Sequence, residues 1–241
     1  MGSYLFVLLV GLVAGAISGV IGTGSSIMLL PVLVFTFGPK QAVPIMALAA
    51  ILANISRAIA WRREIDWKAW AAYSVTGVPA AAVGARTLWV LPASYVDVAL
   101  GLFFLFMIPA RRWIGAKKWT IQLWQLSVAG GIIGFLTGVV LSTGPLSVPA
   151  FTAYGLTKGA FLSTEAASSL ALYISKAVTF RELGALPPEV VLQGAIVGAS
   201  LMAGTFLAKR LVQRMSDVSY RNVLDLLLLV SGISMLWTAV R

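Results

Sequence analysis

The sequence predicts an all-α integral membrane protein, built as two inverted repeats that each hold a broken, hairpin-like helix plus three transmembrane helices. Three observations carry this prediction: the composition, the spacing of charges between long apolar runs, and a self-similarity between the half-chains. Of 241 residues, 59% are hydrophobic and 11% charged, against roughly 45–50% and 25% in a soluble domain. Mean hydropathy is +0.94. A soluble chain of this length would need far more polar surface to cover its core.

The elements follow in order. Residues 4–37 carry no charge. As one helix they would run about 51 Å at 1.5 Å per residue, well beyond a bilayer core of about 30 Å. A break is supplied by Gly22-Thr23-Gly24-Ser25-Ser26, followed by Pro31, so 4–21 and 25–37 are expected as two short or partial helices joined by a turn. Spans are expected next at 41–60, 68–90 and 94–110. Residues 119–157 again lack Lys, Arg, Asp and Glu, and are interrupted by Ser142-Thr143-Gly144-Pro145 and by Pro149. Spans at 159–180, 189–208 and 217–239 complete the series. The total is eight apolar blocks, or ten helical segments when each long block is a hairpin.

Charge placement favours hairpins. With hairpins, Arg62, Arg63, Lys68, Arg111, Arg112, Lys117, Lys118, Lys158, Lys209, Arg210 and Arg214 fall on one side, and Lys40, Arg86, Arg181 and Arg241 on the other. That asymmetry places the first set in the cytoplasm and both termini outside, in the cytoplasmic (inner) membrane of the cell. Re-entrant and fully crossing hairpins give the same parity. Met1-Gly2-Ser3-Tyr4 has no basic region ahead of the apolar run, which speaks against a cleaved signal peptide. Trp61, Trp67, Trp113 and Trp119 stand near span ends as interfacial anchors.

The halves resemble each other. Gly15-Ala16-Ile17-Ser18-Gly19 matches Gly134-Phe135-Leu136-Thr137-Gly138, and Arg63-Glu64-Ile65 matches Arg181-Glu182-Leu183. Pro31, Lys40 and Ala42 match Pro149, Lys158 and Ala160. Residues 1–110 form the first repeat, 111–118 a basic cytoplasmic linker loop, and 119–241 the second, together one membrane domain. Each repeat holds an odd number of helical segments, so the second copy enters from the opposite face, the plan of secondary transporters with broken helices near the midplane.

These residues also carry a family resemblance. Gly15, Gly19, Gly22, Gly24 and Pro31, then Gly134, Gly138, Gly144, Pro145 and Pro149, with Arg63-Glu64-Ile65-Asp66-Trp67 ending the second span, resemble the TauE/SafE family of membrane transporters over nearly the whole chain. The resemblance implies export of a small anion, sulfite or an organosulfonate such as sulfoacetate. This chain has Thr23-Gly24-Ser25-Ser26 where the family carries a glycine triplet, and Thr143-Gly144-Pro145 where it carries Gly-Gly-Pro.

Several chemistries are excluded by composition. Cysteine and histidine are both absent, so disulfides, thiolate nucleophiles, lipidated cysteines, His-held metals and the usual general base are ruled out. Eight acidic residues are scattered singly, with no carboxylate cluster for a metal. No catalytic residue, metal site or cofactor is expected. The net charge of +10 is distributed between apolar runs as topology signals, which argues against nucleic acid as a partner. The expected partners are a small anionic substrate and the bilayer.

Non-helical backbone at membrane depth must be buried in protein or line a wet cavity, so the two breaks are candidate binding regions. At a helix N-terminus, free N–H groups and the positive dipole end favour an anion. Gly22, Thr23, Gly24, Ser25 and Ser26 supply this in the first break, and Ser142, Thr143, Gly144 and Pro145 in the second. Gly15, Gly19, Gly134 and Gly138 read instead as close helix packing. Arg57, with Asn54 one turn earlier, and Lys176 place one cation in each repeat at nearly the same level. They are either a cation pair for the anion or long side chains snorkelling to the interface. Glu165, Ser169 and Lys176 share a helical face, with Ser168 adjacent. Glu165 is the candidate coupling residue for protons, or else it neutralises a basic neighbour. Asp225 and Arg221 read as a structural pair, and Asp97 as a helix-start residue after Pro92 and Ser94.

The leading function is a secondary transporter, a permease or exporter of a small anion, working by alternating access around a midplane site between the broken helices. An anion channel lined by the same helices is the alternative. A non-transporting membrane scaffold or assembly protein is the alternative of another class.

Overall fold

The computed structural model describes residues 2–21, 25–92, 120–140 and 143–212, with single positions at 95, 98, 102, 105, 106, 108, 109, 229 and 233. Among these residues there are eight α-helices and no strand. Helix α1 spans Gly2–Ile21, α2 Ser25–Phe37, α3 Pro39–Ala60 and α4 Trp67–Val90. Helix α5 spans Leu123–Val140, α6 Gly144–Ala153, α7 Lys158–Glu182 and α8 Pro188–Val212. A 3-10 turn, Arg62–Glu64, joins α3 to α4.

In the second charge-free run Thr143 is non-helical, just ahead of α6; in the first, α1 ends at Ile21 and α2 begins at Ser25, with residues 22–24 outside the described residues. Pro31 falls inside the segment 25–37 expected as a helix, whereas Pro149, expected to interrupt its run, behaves differently. Pro31 lies inside α2 and Pro149 inside α6, and neither ends its helix. A proline removes one N–H, yet α2 is held by packing: Leu29, Leu30 and Leu33 are wholly buried, in one apolar cluster with Ala42, Ile45 and Met46 of α3. Tertiary burial outweighs one lost backbone bond. The Asp66 side chain accepts from Lys68 N and Ala69 N, each 3.0 Å, and so caps α4.

The helix directions can be read from contacts. Along α4 and α7, Trp70 Nε1 donates to the Ala167 carbonyl (3.2 Å), Ser175 Oγ to the Val78 carbonyl (2.8 Å), and Arg86 Nη2 to Glu182 Oε2 (3.3 Å). The spacing stays near constant, so these helices run parallel. Helix α5 also runs parallel to α4, across a seam of small residues. A Cβ on Gly130 would fall 2.2 Å from the Tyr73 carbonyl oxygen, on Gly134 2.4 Å from that of Gly77, and on Gly138 2.5 Å from that of Ala81.

Helices α1, α3 and α8 repeat this arrangement. A Cβ on Gly15 would fall 2.1 Å from the Leu201 carbonyl oxygen, and one on Gly204 2.0 Å from that of Leu12. Gly194 and Gly198 of α8 rest on Leu48 and Leu52 of α3. The two groups meet where α3 crosses α7 in the opposite sense. Arg57 faces Glu165 near one end. Towards the other, the Lys40 ammonium lies 5.9 Å from the Trp89 ring, itself 6.4 Å from Phe180.

Apolar side chains cover the outer faces at helical spacing. Leu5, Leu9 and Leu12 on α1, Trp124, Val128, Ile132 and Phe135 on α5, and Ile174 and Val178 on α7 are all exposed. Such continuous stripes are foreign to soluble monomers. One window, Lys40–Ile59 with mean hydropathy 1.8, is long and apolar enough to cross a membrane by itself. Leu5–Ala16, Met28–Phe37 and Leu123–Val139 are apolar but shorter. Helices α4, α7 and α8 have the length, but inward-facing Gly, Ser, Thr, Lys and Glu dilute their hydropathy. Residues 111–118, Trp113, Trp119, Asp97, Arg221 and Asp225 lie outside the described residues.

Candidate functional site

The centre of the helix bundle is polar. Glu165 of α7 is 2% exposed and Arg57 of α3 8% exposed. Their charges face each other, Arg57 Nη2 lying 3.6 Å from Glu165 Oε2. Arg57 Nη2 also donates to Asn54 Oδ1, and Asn54 Nδ2 donates to the Ala50 carbonyl (2.9 Å), fixing the amide on its own helix. The two carboxylate oxygens differ sharply. Oε1 accepts from Ser147 Oγ of α6 (3.0 Å) and Ser169 Oγ of α7 (2.9 Å). Oε2 is buried, faces the guanidinium and, among the described residues, accepts no hydrogen bond.

The starts of the two short helices converge on α7. Ser147 stands one turn into α6, and its hydroxyl reaches Glu165. Ser26 stands at the second position of α2 and shares a side-chain hydrogen bond with Tyr173. Glu165 and Tyr173 are eight residues apart on one face of α7, about 12 Å of rise. Tyr73 of α4 and Tyr173 both stand within electrostatic reach of Glu165. Ser25 is buried beside Ser26.

Lys176 is wholly buried, and its Nζ donates to the Thr137 carbonyl of α5 at 2.8 Å, with the Phe180 ring 5.4 Å away. That carbonyl is in the last turn of α5, where helix carbonyls lack partners and the dipole end attracts a cation. The Thr137 hydroxyl bonds the Thr143 hydroxyl across the second break. Thr143 occupies the N-cap position of α6 without capping it, and Gly144 and Pro145 open the helix.

Of the residues expected to bind substrate, Ser25, Ser26, Asn54, Arg57, Thr143, Ser168 and Lys176, with Glu165, are buried in this centre, and Ser169 is half-buried beside them. Ser168 Oγ has no hydrogen-bond partner among the described residues. Gly22, Thr23, Gly24 and Ser142 lie outside the described residues. Arg57 and Lys176 turn inward, Arg57 to Glu165 and Lys176 to Thr137, rather than snorkelling to the interface. Glu165 faces a cation deep in the bundle. Ser147, Tyr173 and Thr137 were not singled out from the sequence. Tyr173 continues the 165–169 stripe by another turn, and Ser147 follows Thr143 by four residues, so helical periodicity was the available signal.

A helical chain with apolar outer faces around a buried Arg57, Glu165 and Lys176 has the build of a membrane protein with a charged interior. The chain belongs to the Sulfite exporter TauE/SafE family, whose family model matches residues 7–235. It is therefore a member of a membrane transporter family. No curated protein and no solved structure matches it.

Proposed function

We propose that this chain is a multi-pass secondary transporter of a small oxyanion, sulfite or an organosulfonate such as sulfoacetate. The observation that carries the reading is the Arg57–Glu165 pair, buried where the starts of α2 and α6 meet α7. Arg57 offers a guanidinium whose fork suits a planar or pyramidal oxyanion. The Ser25, Ser26 and Thr143 hydroxyls, with the N–H groups opening α2 and α6, supply neutral donors, while Ser147 and Ser169 hold Glu165 Oε1. Gly22, Thr23, Gly24, Ser142, Gly144 and Pro145 complete the two breaks, and Asn54 and Ser168 the polar wall. Lys176 adds positive potential from the second break.

Inverted repeats, 1–110 and 119–241 joined by the loop 111–118, are supported by reciprocal packing. Helix α1 lies along α8 as α5 lies along α4, and α3 crosses α7. The substrate would occupy the midplane and the two helix groups rock around it. Both termini outside and residues 62–63 in the cytoplasm fit the grouping of charges. Glu64 lies against Gly159, while Arg86 reaches Glu182 at the other ends of α4 and α7.

The test is a thermal-shift screen of the purified protein against sulfite, sulfate, sulfoacetate, taurine and simple carboxylates, followed by counterflow in proteoliposomes. A ligand at a hundred times its Kd stabilises by about 2.7 kcal/mol. Sulfite or a sulfonate should raise the melting temperature and show saturable counterflow. Unitary currents would make the protein a channel, and neither binding nor flux would leave a scaffold.

A further inference from the structure

We infer that Glu165 Oε2 is an internal rival of the substrate anion, so that each anion enters the site together with one proton carried on that oxygen. The inference rests on the transporter reading above and adds its coupling. The two carboxylate oxygens are in unlike settings: Oε1 is held by Ser147 and Ser169, while Oε2 faces Arg57 and, among the described residues, accepts no hydrogen bond. Arg57 and Glu165 together are neutral. An anion drawn to Arg57 would leave two negative charges around one guanidinium in a buried site, where uncompensated charge is costly.

Protonation removes the conflict. A proton from water on the loading side bonds to Oε2, the ion pair with Arg57 lapses, and the guanidinium is released to the anion. With a monoanion aboard, the site is neutral again. On the far side the anion leaves, Oε2 gives up its proton to water and Arg57 returns to the carboxylate. No other bond forms or breaks.

The groups around Glu165 agree with a single proton. Arg57 faces it from α3, Tyr73 from α4 and Tyr173 from its own helix. Lys176 lies three turns along α7, bonded to Thr137. Helices α2, α5 and α6 contain no acidic or basic residue. The turn Arg62–Glu64 brings Glu64 against Gly159, near the start of α7. Glu165 is thus the acidic side chain facing Arg57 among the described residues.

The experiment measures sulfite binding and sulfite-for-sulfite counterflow in wild type, Glu165→Gln and Glu165→Asp from pH 5.5 to about 8.5. The titration of sulfite itself is common to all three, so the comparison is between variants at each pH. Wild type and E165D should lose affinity relative to E165Q as the pH rises, by up to about tenfold per pH unit. An inward-directed pH gradient should drive sulfite accumulation by wild type and not by E165Q. Equal pH dependence in wild type and E165Q overturns the inference. If E165Q fails to fold, the accumulation assay on wild type and E165D decides, and no gradient-driven accumulation in either overturns it. Absence of sulfite counterflow in the folded wild type would instead sink the transporter reading for sulfite.

Discussion

Lys176 Nζ donates to the carbonyl oxygen of Thr137 at 2.8 Å, fastening the middle of α7 to the last turn of α5 at the second break. The bond places a cation at a dipole end that would otherwise repel an anion. It also gives the Thr137 carbonyl a charged hydrogen-bond donor.

Lys176→Ala removes both effects. Loss of this charged hydrogen bond should cost about 1.5–3 kcal/mol of stability, seen as a lower melting temperature in detergent. Sulfite counterflow should fall several-fold while the protein remains in the membrane fraction. Flux equal to wild type would take Lys176 out of the anion's path.

Arg57→Met leaves Glu165 buried opposite an apolar chain. Breaking a buried pair from one side costs about 3–5 kcal/mol, so R57M should be the least stable of the site variants. The double variant R57M/E165L should recover most of that stability and bind no sulfite. A double-mutant cycle in thermal unfolding, read beside sulfite binding, checks both statements.

Gly134→Leu should prevent the close approach of α5 to α4, since even a Cβ there would sit 2.4 Å from the Gly77 carbonyl oxygen. Overpacking costs about 1–3 kcal/mol where atoms can move aside, and backbone moves aside less readily. Loss of monodisperse protein on gel filtration is the expected outcome. Gly155→Ala differs: nothing lies within 4 Å, and only its φ of +107° opposes the change. It should cost about 1–2 kcal/mol and leave flux in place.

The absence of cysteine makes orientation directly measurable. Arg86→Cys should react with a membrane-impermeant maleimide applied to intact cells. Arg63→Cys should react only after the membrane is opened. The reverse pattern would invert the assigned topology.

Much of the helix pattern was legible because charge-free length is a physical limit: 34 residues cannot cross as one rod, and the flexible residues show where to bend. Pro149 misled because packing around α6 is decided by distant residues. The stripe Glu165, Ser169 and Lys176 was visible from periodicity. Its partners Ser147 and Thr137 were not, because the sequence does not say which neighbour a side chain meets. The opposing of Arg57 and Glu165 links positions 108 apart, beyond the range of any local pattern.

The glycine seams carry a last consequence. Because α1 is fastened to α8 and α5 to α4 at backbone contact, neither half of the polypeptide is a free-standing block. One block mixes α1, α3 and α8, and the other α4, α5 and α7. Any shearing of one against the other passes through the crossing of α3 and α7, where the guanidinium and the carboxylate stand. The Arg57–Glu165 pair thus also ties one block to the other, so that its rupture would weaken the joint between them.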